Sequence, residues 1–243
     1  MTTALFHLDP LPTSDVVVLA GPEGRHAATV RRIAVGEHIA VGDGRGHRRR
    51  GEVVAVGRDE LTLRCGPVET TAAADPQVVV VQALPKGDRA ELAVELLTEL
   101  GVDVIVPWSA DRSIVQWRGE RALKSRRRWQ DAAREAGKQS RRVWFPEVTE
   151  LADTATVGAR IARSAAAFTL HEAAQAPLVE ALLPPRGEIV VVVGPEGGLT
   201  PDEVAAFEAA GSHPVRLGAP VLRTSTAGAA ALAVLSARLG RWV

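Results

Sequence analysis

Residues 188–211 read EIVVVVGPEGGLTPDEVAAFEAAG, and they set the class of the fold. The run from Ile189 to Val193 is uninterrupted and β-branched, the pattern of a strand covered on both faces. It stops at Gly194. Thr200 then stands as an N-cap, Pro201 at the first helical position, and Glu203 completes a T-x-x-E capping box. A buried strand, a short glycine loop and a capped helix in succession indicate an α/β domain with a largely parallel sheet. The glycines of the loop permit positive φ and close approach of a ligand. Such a loop lies at the carboxyl end of its strand, where α/β sheets bind ligands. Glu196 reads as a turn residue bonding its own loop.

A second loop of the same build follows in VRLGAPVLRTSTAGAAA, residues 215–231. It leaves a strand, passes Gly218 and Pro220, and enters a helix with Thr224, Ser225 and Thr226 as candidate caps. Together the two loops predict opposite walls of one pocket. Around them the chain alternates strand and helix. VVVVQAL, VDVIVPW, AAAFTL and HPVRLG read as strands, and ERALKSRRRWQDAAREAGK as a helix. DRAELAVELLTELG places Ala93, Leu96, Leu97 and Leu100 on one helical face, with Asp88 and Glu91 as a cap pair and Gly101 as the stop. The closing helix, TSTAGAAALAVLSARLG, is so rich in alanine that it predicts a close neighbour, taken here as a second copy of the chain.

The first 65 residues differ. DVVVLA, EHIAVGDGRG with its Asp43-Gly44 turn, and GEVVAVGRDELTLRC with a hairpin at Gly57, Arg58 and Asp59 predict a small β-barrel or sandwich. GPVETTAAADPQ, residues 66–77, reads as a linker, so the domains are expected at 1–70 and 77–243. The phrase GPEG also occurs at residues 21–24. There it reads as a turn before a helix that sends Ala27, Val30 and Ala34 to a core and Arg25, Thr29 and Arg32 to another face. Arg25 and His26 at a helix start oppose the macrodipole, which suits a bound phosphate.

The chain of 243 residues is 46% hydrophobic, enough for a sizeable core, and its 29 basic residues balance 29 acidic ones. One cysteine, Cys65, and six histidines offer no metal-ligand spacing. No targeting segment and no apolar run near the roughly 18 residues of a membrane span is present, so a soluble cytoplasmic protein without metal is expected. No G-x-G-x-x-G follows a strand, Gly137-Lys138 is followed by Gln139 rather than Ser or Thr, and no elbow motif surrounds Ser225. Charge is nonetheless clustered. Between Arg112 and Arg142 eleven basic side chains face three acidic ones, interleaved with Trp117, Trp129 and Trp144. This island suggests phosphate contact with base stacking, Trp129 reading better as core. GRGHRRRGE adds Arg45, Arg48, Arg49 and Arg50 on a hairpin.

GPEGGLTPDE and RLGAPVLRTSTA, preceded by TELGVDVIVPWSADRS, resemble the bacterial 16S ribosomal RNA uridine N3-methyltransferase family, a branch of the trefoil-knotted SPOUT methyltransferases. HAATVRR and GEHIAVGDGRG resemble that family's PUA-like RNA-binding barrel, so the likeness spans nearly the whole chain. It implies a C-terminal knotted α/β domain behind a PUA-like barrel. It also implies a homodimer that binds S-adenosylmethionine and methylates N3 of a uridine in 16S ribosomal RNA of the small ribosomal subunit. The cofactor would be held by Leu170, His171, Gly194, Pro195, Glu196, Gly197, Gly198, Leu217, Gly218, Val221, Leu222, Arg223, Thr224 and Ala227. Arg223 and Arg112 are the candidates for stabilising charge on the uracil oxygens. Arg25, His26, Arg31, Arg32, Arg48, Arg49, Arg112, Arg141 and Arg142 are the candidates for RNA contact. Where the family has Thr-Glu-Thr, this chain has Thr224, Ser225 and Thr226, so no glutamate at 225 can serve as base. The alternatives are a SPOUT enzyme acting on another base and a non-catalytic RNA-binding assembly factor.

Overall fold

The computed structural model describes residues 3–87 and 89–242. Its contacts divide the chain into two units, 1–73 with 137–145, and 74–136 with 146–243. The segment 137–145 thus groups with the N-terminal residues, a division that contiguous blocks at 1–70 and 77–243 do not contain.

In the first unit the strands are β1 (Leu5–His7), β2 (Val16–Leu19), β3 (His38–Gly42), β4 (His47–Val56), β5 (Leu61–Cys65) and β6 (Glu69–Thr70). They form one sheet in the order β1-β3-β4-β5-β2, with β6 on β4. β1 runs parallel to β3, and the other pairs are antiparallel. Period two is plain: Val17 and Leu19 are buried while Val16 and Val18 are exposed, and Leu61, Leu63 and Cys65 face the core formed with Phe6, Ile39, Val41 and Val53. Burial pushes the Cys65 thiol up, with the Arg49 guanidinium pulling the other way.

The first GPEG is not a turn before a helix. It forms helix α1 (Gly21–Arg25) itself, with proline in its first turn, and a π-helical turn continues it through His26–Val30. Only Ala27 of the expected core face is buried. Val30 is 67% exposed and Ala34 lies at the surface, because the helix ends at Val30 and the chain turns at Arg32 with φ +52°. Ile33 fills the core instead. Gly24 is small for a packing reason: a Cβ there would stand 2.4 Å from the carbonyl oxygen of Leu19.

The second unit holds β7 (Gln77–Ala83), α2 (Arg89–Glu99), β8 (Val104–Trp108), most of α3 (Glu120–Gln139), β9 (Glu147–Val148), α4 (Thr154–Ile161), β10 (Ala166–Leu170), β11 (Glu188–Val193), α5 (Pro201–Ala209), β12 (His213–Val215) and α6 (Thr224–Arg238). Its sheet, β12-β10-β11-β7-β8-β9, is parallel throughout. Even-numbered residues of β7, Val78 and Val80, pack with Val94, Leu97, Trp129, Leu232 and Leu235 from α2, α3 and α6. Odd-numbered Val79 and Val81 pack with Val157, Ile161 and Phe207 from α4 and α5. Helices on both faces explain the continuous valine runs.

Asp88, half of the expected cap pair on α2, lies outside the described residues. The capping box at Thr200 forms fully: Glu203 N–H donates to Thr200 Oγ1 at 3.2 Å, and Thr200 N–H to Glu203 Oε2 at 2.8 Å. None of Thr224, Ser225 or Thr226 caps α6. Its N-cap is Arg223, without a side-chain cap bond. The small residues of α6 find neighbours inside the chain, since a Cβ on Gly228 would lie 3.1 Å from Leu97 and 3.2 Å from Val193.

Candidate active site

A cavity of about 490 Å³ opens where β10, β11 and β12 end. Three strand ends supply its walls. Leu170 and His171 follow β10, the GPEGG loop follows β11, and Leu217, Gly218, Val221, Leu222, Arg223, Thr224 and Ala227 come from the passage between β12 and α6. All the residues that the resemblance assigned to a cofactor line this one space. Glu172, Val193, Leu199, Val215, Arg216 and Pro220 line it too. Those six flank the motif residues at the strand ends and loop interiors, so extending each motif by a residue or two would have found most of them.

The GPEGG loop is held from outside the cavity. Gly198 N–H donates to Pro195 O at 2.9 Å, closing a turn in which Gly198 takes φ +72°. Arg112 Nη1 donates to the carbonyl oxygens of Gly197 and Leu199, each at 3.2 Å. A Cβ on Gly197 would stand 3.1 Å from Arg112 Cβ, so the glycine makes room for the arginine. Arg112 is outside the cavity lining and braces the loop, whereas Arg223 lines the cavity and is exposed. Glu203, 2% exposed, also accepts Asp111 N–H through Oε1 at 2.8 Å. Glu196 bonds outside its own loop: among the described residues its Oε1 accepts Lys86 N–H at 3.2 Å, from the segment after β7. Ser225 is buried and outside the lining.

In the first unit the RNA candidates separate by environment. Arg25, Arg31, Arg32 and Arg141 are exposed. His26 is half-buried, edge-on to Phe6 with ring centroids 5.8 Å apart. Arg48 Nε donates to Glu69 Oε2 at 2.7 Å, and Arg142 is half-buried with its amide on Gly137 O. Arg49 is corrected. It is 2% exposed and donates to the carbonyls of Gly66, Pro12, Ser14 and Cys65 at 2.8, 2.7, 2.6 and 3.3 Å. Arg49, Gly51 and Val53 share the inner face of β4 by alternation, which takes this guanidinium away from any RNA.

Trp144 is corrected likewise from stacking surface to packing, and Phe145 packs beside it. Trp144 Nε1 donates to Thr71 O at 2.9 Å, and Cβ atoms on Gly46 or Gly44 would stand 2.6 and 2.5 Å from Trp144 and Phe145. Trp117 packs edge-on against the buried Trp129 with centroids 5.1 Å apart. Lys138 pairs with Glu23 of the first GPEG, buried on the lysine side. Asp43 turns the β3–β4 hairpin: its Oδ1 accepts Arg45 N–H at 2.7 Å and its Oδ2 meets His47 Nδ1 at 2.7 Å. Burial works to raise its pKa, but the amide of Arg45, the imidazole and the amide of His47 together hold it below the ordinary carboxylate value. Among the described residues no cluster of three or more His, Cys, Asp or Glu could hold a metal, and no helix is long and apolar enough to cross a membrane.

The family described as an RNA methyltransferase domain matches residues 73–236, and that described as an RNA methyltransferase PUA domain matches residues 19–64. Ribosomal RNA small subunit methyltransferase E of Mycobacterium tuberculosis is 44% identical over all of this chain and 94% of its own length. Its namesake in Bacillus subtilis is 29% identical over 90% of this chain and 88% of its own length. Among solved structures, a ribosomal RNA small subunit methyltransferase E from Neisseria gonorrhoeae bound to S-adenosyl methionine superposes with a TM-score of 0.86, at 28% identity and full coverage of both chains. An α/β methyltransferase domain follows a PUA-like domain, and the chain belongs to the ribosomal RNA small subunit methyltransferase E family.

Proposed function

We propose that this chain is an S-adenosylmethionine-dependent enzyme that methylates N3 of a uridine in 16S ribosomal RNA, with the cofactor in the cavity at the ends of β10, β11 and β12. The observation that carries this reading is the convergence of three separate loops, at 170–171, 194–198 and 217–227, on one space of about 490 Å³, a size suited to a small organic ligand. The donor set fits the cofactor. Glycine at 194, 197, 198 and 218 keeps the backbone bare along the cavity wall, so that main-chain groups other than the Gly198 N–H and the Gly197 C=O, which bond Pro195 and Arg112, can reach an adenine and a ribose, while Leu217 and Leu222 offer apolar faces to the rings. When bound, the sulfonium supplies an activated methyl group.

Orientation is the protein's main contribution to catalysis. With the cofactor held by these loops, its methyl group would pass from sulfur to N3, and the N3 proton would pass to solvent. Arg223, exposed at the cavity wall, would stabilise negative charge growing on the uracil oxygens. Arg112 acts through the loop it braces. Arg25, Arg31, Arg32 and Arg141 supply phosphate contacts.

The same reading takes in a PUA-like barrel, a trefoil-knotted path through the β12–α6 passage, a homodimer and a cytoplasmic site of action. Exposed Val221 and Leu222 on that passage are the apolar surface a second copy would cover. Light scattering at working concentration tests the dimer: twice the chain mass is expected, and a stable monomer contradicts it. Calorimetry with S-adenosylmethionine tests the pocket, with micromolar binding expected and weakened in Arg223 and Gly197 variants. Absence of heat from the wild-type chain would instead favour a non-catalytic RNA-binding role.

A further inference from the structure

Gln82 is the one polar residue among the fully buried positions of β7. It is 1% exposed, and its Nε2 donates to the carbonyls of Ala83 at 3.1 Å and Thr224 at 3.3 Å. Its Oε1 is buried and receives no hydrogen bond. An unsatisfied buried oxygen costs stability that an apolar side chain of the same size would not, so its presence calls for a reason.

Position supplies one. In register Gln82 lies beside Val193 of β11, which lines the cavity and immediately precedes the GPEGG loop. Thr224, which also lines the cavity, is the first residue of α6. The helix crosses close by, since a Cβ on Gly228 would stand 3.2 Å from Val193 and 3.4 Å from Gln82 Oε1. The amide therefore ties the first residue of α6 to β7, the strand paired with β11 at the point where the GPEGG loop begins, without lining the pocket itself.

We infer that Gln82 is a positioning residue of the cofactor pocket, holding the Thr224 carbonyl and so fixing the first turn of α6 against the end of β11. The inference rests on the reading that this cavity takes S-adenosylmethionine. A trans peptide sets its C=O and N–H in opposite directions, so anchoring the Thr224 carbonyl also fixes the direction of the Ser225 N–H. At a helix start such N–H groups face back along the chain, here toward the loop at 217–223. The amide thus sets the first turn of α6, whose Thr224 and Ala227 line one wall, relative to the glycines of the other.

Gln82→Met and Gln82→Leu keep the volume and remove the donor, and Val80→Ala weakens the same strand at a buried position away from the cavity. Titration with S-adenosylmethionine and melting without it are measured for each. In the Gln82 variants the affinity is expected to fall about tenfold, KM for the cofactor to rise with kcat nearly kept, and the melting temperature to hold or increase. Val80→Ala is expected to melt lower and bind as the wild type does. Wild-type affinity in both Gln82 variants overturns the inference. So does failure of both to fold, or an equal affinity loss in Val80→Ala, because each makes Gln82 a core residue only. Absence of binding by the wild-type chain is a separate result that removes the pocket assignment itself.

Discussion

Four backbone carbonyls converge on the guanidinium of Arg49, from Pro12, Ser14, Cys65 and Gly66. Removing the donors while keeping the stem leaves those acceptors buried or half-buried with less satisfaction. Arg49→Met is therefore expected to lower stability by roughly 2–4 kcal/mol in urea unfolding, with RNA affinity of the folded protein unchanged. Arg49→Lys should recover only part of the loss, because one ammonium cannot reproduce the planar fork. Unchanged stability in Arg49→Met would show that the carbonyl contacts are incidental. At the pocket, Gly197 meets Arg112 so closely that an added Cβ would stand 3.1 Å from Arg112 Cβ and 3.3 Å from its carbonyl oxygen. Gly197→Ala should displace the brace and weaken S-adenosylmethionine binding about tenfold by calorimetry, with stability changed by less than about 1 kcal/mol. Wild-type affinity in that variant would mean the loop keeps its shape without Arg112.

At the scale of the element, the β3–β4 hairpin depends on an ionised Asp43, whose carboxylate takes the amides of Arg45 and His47 and the His47 ring. Its pKa is lower in the folded chain than in the unfolded one. Its contribution is therefore fully present above the ordinary aspartate value near 4 and is lost as pH falls through the lower folded value. Asp43→Asn should flatten the acid limb of the stability curve below about pH 4 while also lowering stability at neutral pH. An acid limb identical to wild type would remove Asp43 from the account. Long elements with a strong pattern were legible in the sequence: the valine strands, α2, α3, α6 and the capping box of α5 all stand where their spacing puts them. Short ones were not. β1 and β9 span three and two residues, too few for alternation to register, and α4 hides behind threonine and glycine although Asp153 caps it. The first GPEG misled because four letters do not carry their context: in one copy they are helix, in the other a cavity loop.

For the molecule as a whole, sequence motifs located the cavity because each of its walls is a continuous loop. The partners that hold those walls were illegible, since Gln82 lies 142 residues from Thr224 and Glu203 lies 92 residues from Asp111. Charge clustering marked the arginines but not their orientation, which strand phase and packing decide. The central claim is the transfer of a methyl group to N3 of a uridine in small-subunit ribosomal RNA. It is tested most directly by incubating the purified chain and S-adenosylmethionine with unmethylated small subunits and their free RNA, then digesting the RNA for nucleoside mass spectrometry. The account predicts N3-methyluridine at one site, absent with Gly197→Ala at limiting cofactor and restored as the cofactor is raised. No N3-methyluridine in any assembly state, or the methyl group on a different base, would contradict it.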